Sequence, residues 1–130
     1  MESKAFIDAS GKLIVENGRI IYRNFSGVGT QFNREADRNF CVFIDNPETA
    51  NELKEQGWNV KIRKPRDPED EVSHYIKVNV SYRFREPKII RHIGNYAQEM
   101  HEDNIKEIDQ DDILYCDMVI NPGRWALGVG

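Results

Sequence analysis

The 130-residue sequence predicts a mainly β fold: a small, partly open barrel of five or more strands with one or two short helices. Three observations carry this. Several short segments are rich in β-branched and aromatic residues or alternate apolar with polar positions. Turn formers separate them at irregular intervals. Long helices do not alternate with the strands, which argues against a doubly wound parallel sheet, whereas closing the sheet on itself hides its edges.

The elements follow in chain order. The N-terminal ~15 residues are expected to be flexible. RIIYRNF (19–25) and NFCVFID (39–45) read as strands, rich in β-branched and aromatic side chains and flanked by turn formers. Pro47 opens a short helix over ETANELKEQ, and Gly57 stops it. WNVKIRK then alternates, with Trp58, Val60 and Ile62 inward and Asn59, Lys61 and Arg63 outward. The loop PRDPEDEVS leads into HYIKVNVSY, with Ile76, Val78, Val80 and Tyr82 on one face and Tyr75, Lys77, Asn79 and Ser81 on the other. PKIIRHI is a further strand. In the acidic HEDNIKEIDQDD, Ile105 and Ile108 fit one short helix. ILYCDMVI closes the set as a nearly unbroken apolar strand, expected to be buried on both sides or at a barrel seam.

The length allows a single domain over residues 1–130, and 39% hydrophobic with 31% charged residues is a soluble, globular composition. No run approaches the ~18 apolar residues of a membrane span. MESKAFIDASGKL lacks a signal-peptide apolar core, so the expected location is the cytoplasm. Cys41 and Cys116 lie in apolar runs without CxxC spacing and read as buried free thiols. The net charge of −4 is uneven. Residues 58–92 hold nine Lys/Arg against five Asp/Glu, a local +4, and residues 99–117 hold eight Asp/Glu against Lys106, a local −7. An acidic chain can therefore carry one basic face.

That face is expected where the two alternating strands pair, with Lys61, Arg63, Tyr75, Lys77 and Asn79 outward. Each is also an ordinary strand-surface residue, but cations beside a ring suit single-stranded nucleic acid, since cations follow phosphates and rings stack on unpaired bases. The stretch RNFSGVGTQFNREADRNF (23–40) adds a repeated Arg-Asn-Phe. It is not a phosphate-binding glycine loop, because a strand rather than a helix follows and no Gly-Lys-Ser/Thr occurs. It reads as a long β-hairpin in which Phe25 faces Arg38 and Arg23 faces Phe40, each a cation beside a ring. Phe32, Asn33 and Arg34 would project between them as a finger.

Catalytic signatures are not found. His74, His92 and His101 have no HxH or HExxH spacing, and GxSxG does not occur. Glu107, Asp109, Asp111 and Asp112 lack the glycine and terminal glutamate of an EF-hand and read as a solvated acidic helix. No enzyme activity, metal or cofactor is expected.

RNFSGVGTQFNREADRNFCVFID, GWNVKIRKPRDPEDEVSHYIKVNV, PKII and DDILYCDMVINPGRW resemble successive blocks of a bacteriophage single-stranded DNA-binding protein family with an OB-fold. The resemblance runs from about Ile20 to the C-terminus. Its specific parts are the duplicated Arg-Asn-Phe hairpin and the GWNVK…KPR block. It implies an OB-fold-like, five-stranded partly open barrel and sequence-tolerant coating of single-stranded DNA in phage replication or recombination, within the bacterial host cytoplasm. Carried onto this chain, the nucleic-acid-binding residues are Arg23, Phe25, Arg34, Arg38, Lys61, Arg63, Tyr75, Lys77 and Asn79. The implied partners are single-stranded DNA and replication or recombination proteins. After NPGRW the family usually continues into a final strand and an acidic tail, whereas this sequence stops at WALGVG. The expectation is a shortened chain or a barrel closed differently, for instance by a partner chain, and a second copy of the chain, giving a homo-oligomer, is among the partners considered. The competing reading is a protein-interaction module, a phage factor whose acidic 99–117 segment mimics nucleic acid to occupy a host protein.

Overall fold

The structure is a computed structural model that describes residues 3–29, 38–82 and 86–122. These fall into two compact units, one drawn from Met1–Ile21, Cys41–Val78 and Ile113–Gly130, the other from Tyr22–Phe40 and Asn79–Asp112.

In the first unit, β1 (Lys4–Ile7) and β2 (Leu13–Gly18) form an antiparallel hairpin. Its loop is fixed by Asp8, whose carboxylate accepts from Ser10 N at 2.9 Å, Ser10 Oγ at 2.7 Å and Lys12 N at 2.9 Å. These bonds, the Ser10 hydroxyl foremost, hold the Asp8 carboxyl below its ordinary value. The other edge of β2 pairs antiparallel with β9 (Cys116–Ile120). Alternation sends Leu13, Val15 and Ile120 into the core, while Phe6, Ile14 and Val119 line up across the outer face.

The ladder between β2 and β9 shifts register between Val15 and Gly18. Asn17 takes φ +54 there, and its amide donates to Asp117 Oδ1 at 2.8 Å. A Cβ on Gly18 would lie 2.6 Å from Val15 Cγ1 and 3.3 Å from Val42 Cγ2, so only glycine fits against those side chains. This bulge bends the chain out of the β1-β2-β9 sheet and, after Arg19, into β3 (Ile20–Asn24) of a second sheet.

The second sheet has the order β3-β4-β6-β5. Every residue of β4 (Asn39–Ile44) is buried, as a central strand requires. Helix α1 (Pro47–Glu55) follows, with Asn46 as N-cap accepting from Glu48 N at 2.9 Å, Pro47 in the first turn and Ala50 and Leu53 turned inward. Gly57, at φ +94, ends the turn, and Trp58 is half-buried at the core edge. β5 (Val60–Arg63) and β6 (Ser73–Asn79) pair antiparallel.

The second unit contains the hairpin of β7 (Ile89–Ile93) and β8 (Tyr96–Met100), turned through Gly94 at φ +58, and a 3-10 helix, Ile105–Gln110. Among its described residues, Phe25, Phe40, Met100, Ile105 and Ile108 are the buried apolar ones.

The fold is mainly β, built of several antiparallel pairings, and consistent with an OB-like arrangement. The described strands number nine and lie in three sheets that do not close into a barrel. Both expected helical segments form. Three expectations are corrected. β9 is not buried on both sides: its residues alternate, Val119 is 61% exposed, and the preceding Leu114 and Tyr115 also face outward. It packs one face only, because it borders a three-stranded sheet. Ile62, expected inward, is 50% exposed on the outermost strand of its sheet. Cys41 is a buried free thiol, whereas Cys116, on β9, is half-buried.

Candidate nucleic-acid interface

The β5–β6 ladder sets the first part of the site. Its register places Lys61 opposite Tyr75 and Arg63 opposite Ser73, so these four share one face. Lys77 joins them, two residues beyond Tyr75 on the same strand. Lys61, Arg63 and Lys77 are exposed, and Tyr75 is half-buried. None of the three cations makes a hydrogen bond or ion pair with another described residue.

Cys41 on β4 extends the face. The bond from Val80 N to Arg38 O at 2.9 Å aligns β6 with its neighbour β4 so that Lys77 stands opposite Cys41, whose thiol burial raises above the ordinary value while the charges of Lys61 and Lys77 act in the opposite direction. Phe43 lies two residues along β4, hence on the same side. Its amide donates to Arg19 O at 3.0 Å, and the Arg19 guanidinium carbon lies 5.0 Å from the Phe43 ring centroid. Arg19 Nη2 also donates to Asp45 Oδ1 at 3.1 Å. One face of the sheet in this unit therefore carries Arg19, Lys77, Lys61 and Arg63 over a floor that includes Phe43, Cys41 and Tyr75. The sequence reading missed Arg19, Cys41 and Phe43. The signal was the period-2 alternation of NFCVFI, masked because both faces of β4 are apolar.

Arg23, Phe25 and Arg38 lie in the second unit. Arg23 Nη1 donates to the carbonyls of Ile108 at 3.1 Å and Asp111 at 2.7 Å, satisfying acceptors at the end of the 3-10 helix. Phe25 is buried and stacks on Phe40, centroids 5.3 Å apart and planes at 23°. Arg38 Nε donates to Phe25 O at 3.1 Å, its guanidinium carbon lies 5.3 Å from the Tyr82 ring centroid, and Nη1 is 3.7 Å from Glu102 Oε1. The expected pairing of Phe25 with Arg38 and of Arg23 with Phe40 as cation–ring contacts is thus corrected. Stacking the two phenyl rings removes both from water, and each guanidinium finds carbonyl, carboxylate or tyrosine partners instead. Asn79 is exposed and belongs to this second unit. Arg34, with Phe32, Asn33 and the rest of the expected finger, lies outside the described residues.

The acidic segment is partly occupied within the same unit. Asp109 accepts from the amides of Phe25 at 2.8 Å and Ser26 at 2.9 Å, and Asp111 pairs with Arg91 at 3.2 Å. Tyr82, Glu86, His101, Glu102 and Asp103 line an open hollow of 450 Å³. His101 Nδ1 and Glu86 Oε1 are 2.6 Å apart, and this bond raises His101 above its ordinary value of 6.5. Among the described residues no group of three or more His, Cys, Asp or Glu side chains is arranged to hold a metal ion. No helix among them is long and apolar enough to cross a membrane.

Residues 3–129 match the family model described as "Putative phage ssDNA-binding domain". No curated protein and no solved structure matches the chain. With nearly its whole length matched, the chain belongs to this phage single-stranded-DNA-binding domain family.

Proposed function

We propose that the chain is a non-enzymatic, OB-fold-like domain that coats single-stranded DNA with little regard for sequence during phage replication or recombination, in the cytoplasm of the bacterial host. The interface is the sheet face carrying Lys61, Arg63, Tyr75 and Lys77. The observation that supports it most is the cross-strand pair Lys61–Tyr75 with Arg63 and Lys77 beside it, three cations that no described residue neutralises. Cations follow the phosphates and the tyrosine ring offers a stacking surface to any base. The family resemblance adds Arg23, Phe25, Arg34, Arg38 and Asn79 as candidate contributors, with the buried Phe25 acting through its packing on Phe40. Replication or recombination proteins and further copies of the chain are its protein partners.

Fluorescence anisotropy with labelled oligo-dT tests the proposal. Binding at low salt that weakens steeply as salt rises is expected, and no binding at low salt refutes it.

A further inference from the structure

Phe43 is 9% exposed, yet what covers one face of its ring is an arginine whose own side chain is 63% exposed. Arg19 and Phe43 are fixed beside each other by the backbone bond from Phe43 N to Arg19 O. The guanidinium reaches over the ring and is held there by Asp45, itself 42% exposed. Exposed ion pairs and exposed cation–ring contacts are both weak, and a phosphate competes well for a guanidinium. The bond from Val80 N to Arg38 O aligns β6 with its neighbour β4 so that Lys77 stands opposite Cys41 and Tyr75 opposite Phe43, and the capped ring therefore belongs to the face that carries Lys61 and Lys77.

We propose that Phe43 is a base-stacking site that Arg19 caps in the free protein: a backbone phosphate draws Arg19 away from Asp45, and an unpaired nucleobase takes its place on the ring. This rests on the single-stranded-DNA reading. The ligand class is a nucleobase with its adjoining phosphate, and both halves are needed. The phosphate opens the site, and the base fills it. Asp45 is a positioning residue that sets how readily Arg19 leaves.

The test combines affinity and photo-cross-linking on the full chain. Oligo-dT titrations compare wild type with Phe43→Leu, Asp45→Asn, Arg19→Gln and the Arg19→Gln/Asp45→Asn pair, with folding checked by circular dichroism. Phe43→Leu is expected to bind about tenfold more weakly with an unchanged salt slope, because stacking releases no counterions. Arg19→Gln is expected to lower the slope by about 0.7. Asp45→Asn is expected to tighten binding, and the gain should vanish once Arg19 is also replaced, whereas a general charge effect would persist. Cross-linking to an oligonucleotide carrying halogenated deoxyuridine should mark Phe43. If Phe43→Leu does not fold, the Asp45 and cross-linking arms decide. Wild-type binding with no cross-link at Phe43 and no Arg19-dependent gain from Asp45→Asn overturns this inference while leaving DNA binding intact. Failure of the wild type to bind at low salt overturns both.

Discussion

Lys61 stands directly across the antiparallel β5–β6 ladder from Tyr75, so a cation and a ring meet on one sheet face. Directly opposed residues lie close enough to act as a unit, and Arg63 and Lys77 extend the pair along both strands. Replacing Lys61, Arg63 and Lys77 together with glutamine should weaken oligonucleotide binding about equally for all sequences. The salt dependence should fall by roughly 2 in log–log slope, three phosphate contacts at about 0.7 each. Thermal stability should barely change, because all three side chains are exposed. Titration at several salt concentrations checks the slope.

The Phe25–Phe40 stack makes the opposite prediction. Both rings are buried, so Phe25→Ala leaves a void and should cost about 3–5 kcal/mol in unfolding free energy. Urea denaturation measures it. A loss of affinity without loss of stability would instead assign Phe25 to the interface.

Gly18 is the tight point of the bulge in the β2–β9 ladder. Gly18→Ala would force its Cβ to within 2.6 Å of Val15 Cγ1 and should destabilise by about 1–3 kcal/mol. A parallel Gly94→Ala change meets no neighbouring atom within 4 Å, and its cost comes only from the positive φ of the β7–β8 turn. Comparing the two by chemical denaturation separates crowding from backbone strain.

His101 gives a pH dependence of known sign. Its folded value is raised by the bond to Glu86, so the protonated imidazole stabilises the fold. That contribution is fully present below the unfolded value of about 6.5 and is lost as pH rises through the higher folded value. Glu86→Gln should return His101 towards 6.5 and flatten this part of the stability profile. Proton NMR titration of the two proteins reads both values.

Much of this architecture was legible in the sequence. The strict alternation of WNVKIRK and HYIKVNV fixed which residues share the β5–β6 face, because a period of two leaves no freedom once the strands pair. Pro47 and Gly57 marked the start and stop of α1 through chemistry that is local to the chain, and Asn46 proved to be its N-cap. The arginines of the repeated Arg-Asn-Phe were harder to read. Arg23 and Arg38 find carbonyls and a ring contributed by residues far along the chain, at Ile108, Asp111 and Tyr82, and no local pattern specifies such partners. Arg19 was hidden for a related reason: its place over Phe43 depends on the pairing of β3 with β4. The β1–β2 hairpin and strand β8 were not read, although Gly94-Asn95 and the loop from Asp8 to Gly11 carry turn formers. Both signals are short, and neither flanking segment carries a long periodic run.

Amide hydrogen exchange with and without oligo-dT tests the central claim most directly. The account predicts DNA-dependent protection in Val60–Arg63 and Ser73–Asn79, with little change in Ile89–Met100. Protection confined to the β7–β8 hairpin and the 3-10 helix, with β5 and β6 unchanged, would contradict it.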